Sequence, residues 1–191
     1  MDEGLKLMAD PAELIAEIGR LRGEVARLTR RVEELDELAH QDPLIALPNR
    51  RGFLRELERL IDRVKRYDAT AAMLFIDLDG LKMINDTFGH PAGDSALIEV
   101  ASLLAKGVRR SDIVARIGGD EFGILLESCD SERAGETARR LTELIGDSGF
   151  NYEGDNLPLS VAIGVTMIGA TDSAADVMGR ADEEMYRAKA A

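Results

Sequence analysis

The chain has 191 residues and a formal net charge of -12, from 36 acidic and 24 basic residues. Its 45% hydrophobic content suits one compact domain plus an appendage and excludes disorder over the whole chain. The acidic excess would repel a polyanion, so no nucleic-acid partner is expected. A nucleotide is still compatible with this charge where divalent cations and a few basic side chains neutralise its phosphates.

The cysteine content and hydropathy bear on the compartment. A single cysteine, Cys129, excludes an internal disulfide or a multi-cysteine zinc site and fits a reducing cytoplasm. No apolar run is long enough to span a membrane, and residues 1–10 lack the basic start and continuous hydrophobic block of a signal peptide. We therefore expect a cytoplasmic chain with no membrane segment.

The first 40 residues carry a heptad seam, in which apolar residues recur in alternating steps of four and three. The seam consists of Leu14, Ile18, Leu21, Val25, Leu28, Val32 and Leu35. β-Branched residues at one core position and leucines at the other favour a parallel two-stranded coiled coil. The alternative is an amphipathic helix folded onto its own domain, which the narrow apolar stripe disfavours. Residues 1–40 are thus predicted to dimerise the chain.

A second domain, residues 41–191, is predicted after a hinge at 40–50, where Asp42, Pro43 and Pro48 interrupt the periodicity. Helical spacing continues through residues 54–64, 97–104, 138–145 and 174–189, and strand patterns occupy 71–76, 113–117, 122–126 and 159–166. Gly118 and Gly119 indicate a hairpin between the two middle strands. The pattern predicts an α/β (α+β) fold with a central mixed or antiparallel sheet flanked by helices. This is the ferredoxin-like arrangement of nucleotide cyclases and polymerase palms, rather than a doubly wound parallel sheet.

Carboxylates cluster at two of these strands. Asp77 follows the first predicted strand, and Asp120 and Glu121 lie in the glycine-rich hairpin turn. If the strands are neighbours, Asp77 and Asp120 could share one or two magnesium ions, a geometry that serves phosphoryl transfer. An ordinary tight turn with solvated acids explains the same residues equally well when they are considered alone.

Three separated blocks make the resemblance specific. Residues 116–122 read RIGGDEF, residues 75–94 read FIDLDGLKMINDTFGHPAGD, and the tail reads ADEEMYRAK. From about residue 40 to its end the chain resembles the GGDEF family of diguanylate cyclases, and three blocks in the family's order are more specific than one short motif. The resemblance implies that two subunits, each binding one GTP, face each other and condense the two nucleotides into cyclic di-GMP and two pyrophosphates.

The resemblance also implies metal ligands. Asp77, the Leu78 carbonyl and Asp120 would hold magnesium, two ions per site, with Glu121 as a further ligand or general base. Manganese is expected to substitute. Asp120 and Glu121 would be catalytic, together with Lys82.

Further residues would bind the substrate by the same resemblance. Lys82 and Lys189 would contact phosphates, Asn85 and Asp94 would read guanine, and Gly118 and Gly119 would let the backbone approach the ligand. Considered without the family, Asn85 and Asp94 could be helix caps, and the two lysines could be solvated charges. His90 is given no chemistry.

A separate site for the product is implied just before the signature. Arg109 and Asp112 have the R-x-x-D spacing that marks an inhibitory site for cyclic di-GMP in this family, completed by Arg140 or alternatively Arg139. Arginine binds phosphate bidentately and stacks on guanine. The alternative is an exposed Arg–Asp pair of little consequence.

The chain departs from the family pattern at three places. Ile45 and Ala46 replace the usual Thr and Gly, and Gly80 and Leu81 replace a bulkier pair. The sequence stops at Ala191, before the Gly-Arg-Asn segment that usually follows in the family. Either the sequence is truncated or the triphosphate contact of that segment's arginine is absent, which would weaken GTP binding. The alternative functions are an inactive module that binds cyclic di-GMP or GTP as an effector, and a coiled-coil scaffold with a vestigial domain.

Overall fold

The structure is a computed structural model that describes residues 11–190. It divides the chain into two units, the first ending at Ala39 and the second beginning at His40. The helices of the described residues are α1 (Pro11–His40), α2 (Arg50–Tyr67), α3 (Leu81–Phe88), α4 (His90–Lys106), α5 (Ser131–Gly146) and α6 (Ala174–Lys189). The strands are β1 (Ala71–Leu78), β2 (Ile113–Arg116), β3 (Glu121–Glu127), β4 (Asn151–Tyr152), β5 (Asp155–Asn156) and β6 (Val161–Met167).

Helix α1 is one continuous helix of 30 residues whose heptad seam is solvent-exposed in the single chain. The helix carries ion pairs between residues one turn apart, including Arg20 with Glu17 at 2.7 Å and Arg31 with Glu34 at 3.1 Å. Such exposed pairs between neighbouring turns favour the helix only slightly. None of the helices in residues 11–190 is long and apolar enough to cross a bilayer.

The main sheet of the second unit has the strand order β2-β3-β1-β6, and each neighbouring pair is antiparallel. This is the ferredoxin-like order, with the hairpin strands β2 and β3 at one side and the last strand at the other. The expected mixed or antiparallel sheet is therefore antiparallel across these four strands. β4 and β5 form a separate small hairpin that the sequence analysis did not predict.

Side chains of β1 alternate between two hydrophobic cores, as the period of two in a strand requires. Ala72, Leu74, Ile76 and Leu78 belong to the core that α4 and α5 cover, and Ala71, Met73 and Phe75 to the core that α2 and α6 cover. All of these residues are buried. Asp77 continues the second series, so its carboxylate lies on the face that α6 covers.

Helix α6 approaches the sheet closely because β6 has no side chain at Gly164. A Cβ atom there would lie 2.2 Å from the backbone of both Ala181 and Met185. At its start, α6 is capped by a reciprocal pair of hydrogen bonds between Ser173 and Asp176. This packing and capping fix the backbone of Lys189, the last residue of α6, near the end of β1.

Two local features differ from the sequence-based expectation. Helix α3 was not predicted, because it is only eight residues long and buries Ile84 alone, too little to give an apolar period. Gly80 and Gly89, both at positive φ, delimit it. Asp77, expected at the end of the strand, lies within β1, one residue before its last residue.

Candidate active site

The turn between β2 and β3 is fixed by the side chain of Arg116. Its guanidinium donates to the Gly119 carbonyl at 2.7 and 3.2 Å, and also contacts the Asp42 carboxylate at 3.3 Å. The Asp42 carboxylate in turn accepts from the backbone of Leu44 and Ile45, which closes the loop before α2. Arg116 thus connects the glycine turn with the beginning of the second unit. The sequence analysis quoted Arg116 in RIGGDEF but gave it no role.

The three predicted metal carboxylates belong to residues located where β1 and β3 lie side by side. Asp77 stands directly opposite Glu121 in the antiparallel register. The adjoining Leu78 N–H donates to the Asp120 carbonyl at 2.9 Å. The condition set by the sequence, that the two strands be neighbours, is met.

Negative charge surrounds Glu121. Burial raises the pKa of its carboxyl above the ordinary glutamate value. The carboxylates of Asp120, Asp77 and Asp182 raise this pKa further, whereas the guanidinium of Arg50 acts in the opposite direction. The strands therefore hold acids close together without enough basic charge to balance them.

Gly118 makes room for that acid. A Cβ atom at Gly118 would lie 2.1 Å from the Oε2 atom of Glu121. Any other residue at this position would displace the Glu121 side chain from the turn. Gly118, the first glycine of the signature, therefore leaves space for the Glu121 side chain. This is in addition to the close approach to a ligand that its backbone was expected to allow.

Lys189 forms an ion pair with the Asp77 carboxylate. Its Nζ lies 2.5 Å from Asp77 Oδ1 and 3.9 Å from Asp79 Oδ1. The hydrogen bond with Asp77 raises the pKa of the lysine ammonium above its usual value. Asp79, which the sequence analysis did not select, is held in turn by the Ser160 hydroxyl at 2.9 Å.

A pocket of about 420 Å³ adjoins the turn, between α3 and α4. Of the predicted site residues it is lined by Lys82, Asn85, Asp94, Gly119 and Asp120. Its other lining residues are Leu81, Asp86, His90, Gly93, Leu97 and Arg116. The pocket thus collects the predicted guanine-reading residues, one of the predicted phosphate lysines and one metal carboxylate.

The Asn85 side chain is seated against Gly93. A Cβ atom at Gly93 would lie 2.0 Å from the Asn85 Oδ1 atom, so only glycine permits this placement. Asn85 is on α3 and Asp94 on α4, next to Gly93. Neither Asn85 nor Asp94 is the N-cap of a helix, which removes the capping alternative for both.

The chemistry of the donors fits a hard divalent cation, although no complete site is assembled. Within residues 11–190, no group of three or more His, Cys, Asp or Glu side chains is placed to hold an ion. The oxygens available are the carboxylates of Asp77, Asp120 and Glu121 and the Leu78 carbonyl. Carboxylate and carbonyl oxygens are the ligands that magnesium takes in proteins, usually with water and substrate phosphate completing the shell.

A second pocket, of about 260 Å³, lies between the end of β3 and α5. Arg109, Asp112 and Arg140 all line it, whereas Arg139 is not among its lining residues. Asp112 accepts from the Arg109 N–H at 2.9 Å, which fixes the R-x-x-D segment. Arg133, which the sequence analysis did not select, also lines the pocket.

Cys129 lies in the same pocket. Burial raises the pKa of its thiol above the usual cysteine value. The raised pKa disfavours the thiolate, which is the reactive form of the side chain.

Comparison with known proteins assigns the chain to a family. Residues 39–191 match the family model described as diguanylate cyclase, GGDEF domain. The chain belongs to the GGDEF family. It is 38% identical, over 87% of its length, to the probable diguanylate cyclase DgcE of Escherichia coli K12, and 33% identical, over 93% of its length, to the diguanylate cyclase DgcP of Pseudomonas aeruginosa. It spans only 15% and 26% of the lengths of these two relatives.

A solved structure extends the likeness to the first unit. The crystal structure of the coiled coil and GGDEF domain of DgcB from Caulobacter crescentus, in complex with c-di-GMP, matches with a TM-score of 0.81 at 27% identity. The match covers 93% of this chain and 94% of that one. The predicted fold class is confirmed.

Proposed function

We propose that this chain is a diguanylate cyclase that condenses two GTP molecules into cyclic di-GMP and two pyrophosphates. The observation that carries the proposal is the pairing of Asp77 with Glu121 across β1 and β3, next to Asp120, which lines a pocket together with Lys82 and Asn85. Family membership supplies the reaction class. The intact carboxylates favour catalysis over the alternative of an inactive effector.

The carboxylates and Lys82 serve the triphosphate. Magnesium held by Asp77, Asp120 and the Leu78 carbonyl would supply charge neutralisation at the α-phosphate, where the 3′-hydroxyl of the second GTP attacks. Lys82 lies in the pocket and would contact the phosphates directly. Glu121 would either complete the ligand set or accept the hydroxyl proton, and its raised pKa brings it nearer to the range useful for a base.

Asn85 and Asp94 would select the base. A carboxylate accepts from the N1–H and amino group of guanine, and an amide can both donate and accept. Adenine presents the opposite pattern at N1 and C6, so it would leave these side chains partly unpaired. The seat of Asn85 against Gly93 pre-orients the amide before the nucleotide binds.

The reaction requires two copies of the chain, because one pocket holds one of the two nucleotides. The heptad seam of α1 would hold two copies together and make the encounter of their half-sites effectively intramolecular. The charges beside the seam favour a parallel pair. In that arrangement Glu17 faces Arg22 of the second copy, and Arg31 faces Asp36, at the flanking positions where opposite charges pair.

The Arg109 pocket would bind the product. Three arginines line it, Arg109, Arg133 and Arg140, and arginine forks suit the two phosphates and the guanine faces of a cyclic dinucleotide. It is built from other elements than the α3–α4 pocket and shares no lining residue with it. Product bound there would inhibit the enzyme from a distance, as an allosteric ligand.

Removing the metal carboxylates tests the proposal. Asp77→Asn and Asp120→Asn should each abolish cyclic di-GMP formation from GTP and magnesium, with thermal unfolding close to that of the parent. Asp62→Asn, which removes a carboxylate from the far end of α2, is the matched control and should remain active. Undiminished turnover in either active-site variant contradicts the assignment.

A further inference from the structure

Lys189 lies against the acids to which the proposed function assigns the metal. It is the last residue of α6, and its ammonium contacts Asp77 at 2.5 Å and Asp79 at 3.9 Å. The side chain of Asp77 is 13% exposed, whereas that of Lys189 is 44% exposed. The lysine therefore reaches from solvent to a mostly buried carboxylate.

The electrostatic surroundings favour a cation at this point. Asp77, Asp79 and Asp120 all act to keep the ammonium charged, with the hydrogen bond to Asp77 the strongest influence on the lysine's pKa. The acids exceed the bases here, since Glu121 and Asp182 lie close to the same strands. A cation of higher charge would balance the group more fully than one ammonium does.

We propose that Lys189 holds the place of the divalent cation at Asp77, and that metal binding requires its displacement from this carboxylate. The inference rests on the proposed function, which assigns the metal to Asp77. A divalent ion and the ammonium cannot share one carboxylate oxygen without strong repulsion, so the two compete. Lysine suits such an exchange because its charge is carried on a flexible four-carbon side chain that can move without the helix.

The displaced ammonium has a second anion to bind. In the proposed function the phosphates of GTP bind beside the same acids, and they would supply that anion. The lysine would then move from carboxylate to phosphate as the ion takes its place. Metal without nucleotide would bind weakly, because nothing compensates Lys189 for the loss of Asp77.

The test is the affinity of the nucleotide-free chain for Mn²⁺, measured by electron paramagnetic resonance of the free ion. Lys189→Gln should bind Mn²⁺ about two- to five-fold more tightly than the parent, the change expected when one half-exposed ion pair no longer competes. Arg50→Gln is the matched control. It removes one positive charge that acts on Glu121, so it reports the general effect of lost charge without the contact to Asp77.

Three further outcomes overturn the inference in distinguishable ways. An affinity of Lys189→Gln equal to that of the parent, or raised no more than in Arg50→Gln, shows that Lys189 is not a competitor and leaves the metal site standing. Mn²⁺ binding that survives in Asp77→Asn places the ion elsewhere. Absence of Mn²⁺ binding to both the parent and Lys189→Gln overturns the inference for the nucleotide-free chain, and absence that persists with a non-hydrolysable GTP analogue contradicts the metal assignment itself, and with it the proposed function.

Discussion

Asp77 and Glu121 are direct cross-strand partners on β1 and β3, so two acids face each other where like charges destabilise a sheet. Burial and neighbouring carboxylates raise the pKa of Glu121. A carboxyl whose pKa is higher in the folded state than in the unfolded chain stabilises the fold only while it is protonated. That contribution is complete below the unfolded value of 4.5 and is lost as the pH rises through the folded pKa.

Glu121→Gln should therefore raise the thermal unfolding temperature at pH 7 in the presence of a chelator. The gain should disappear below about pH 4, where the parent carboxyl is itself neutral. Glu58→Gln, at an exposed position of α2, is the control and should show no such pH-dependent gain. Equal unfolding temperatures of the parent and Glu121→Gln at pH 7 would contradict the electrostatic account.

Arg116→Ala should lower the rate of product formation about ten- to a hundred-fold. The reason is that charge-assisted hydrogen bonds are worth roughly 1.5–3 kcal/mol, and those to Gly119 fix the turn that carries Asp120. Steady-state kinetics would measure the loss. Arg59→Ala, which breaks an exposed ion pair on α2, is the control.

Asp42→Asn tests the contact of Arg116 with Asp42 separately from its hydrogen bonds to Gly119. It weakens the hold on Arg116 while the arginine keeps its bonds to Gly119, so a smaller loss than in Arg116→Ala is expected. Full activity in Arg116→Ala would show that the turn does not depend on the hydrogen bonds from Arg116.

Arg109→Ala should leave the initial rate near that of the parent but remove the slowing that accompanies accumulated product. Arg139→Ala is a close control, since Arg139 is on the same helix as Arg140 but does not line the pocket. Progress curves with and without added cyclic di-GMP would measure the effect. Inhibition of Arg109→Ala at the product concentration that inhibits the parent would exclude the pocket as the inhibitory site.

Charges placed in the heptad seam should separate the copies. The double variant Val25→Asp, Leu28→Asp should be a monomer where the parent is a dimer, as measured by light scattering. Its activity at dilute protein should be at least about ten-fold lower than that of the parent. Activity should recover at high concentration, because the lost linkage normally supplies an effective concentration in roughly the millimolar range. Arg30→Glu, away from the seam, is the control.

The direction of the pair can be tested by charge. Arg22→Glu should weaken a parallel dimer by placing two acids side by side, and Glu17→Arg added to it should restore the dimer. A fully active monomer of the parent chain would show that the seam has another purpose.

The sequence predicted the architecture well where its patterns are long. Helix α6 begins and ends where the sequence placed it. The adjacency of β1 and β3 was only a condition in the sequence analysis, and the antiparallel register of the two strands meets it. Helix α3 was not predicted, because a single buried residue gives no apolar periodicity. Short elements defined by glycines at positive φ need knowledge of the surrounding turns.

The sequence named candidate residues for the site but not the contacts between them. Lys189 is 112 positions from Asp77, and only the packing of α6 on Gly164 brings the two together. Arg116 stood in the signature, yet its contact with Asp42 joins two loops that no local pattern relates. Asp79 lies two residues after Asp77, in the turn that follows β1. Its position in the sequence gave no separate reason to select it as a site residue.

The most direct test of the central claim is the identity and stoichiometry of the product made from GTP and magnesium by the purified chain. Chromatography with mass detection should show one cyclic di-GMP and two pyrophosphates for every two GTP consumed, at protein concentrations where the chain is dimeric. Asp120→Asn should produce neither. GTP left intact under these conditions, or converted to anything other than cyclic di-GMP, would contradict the account.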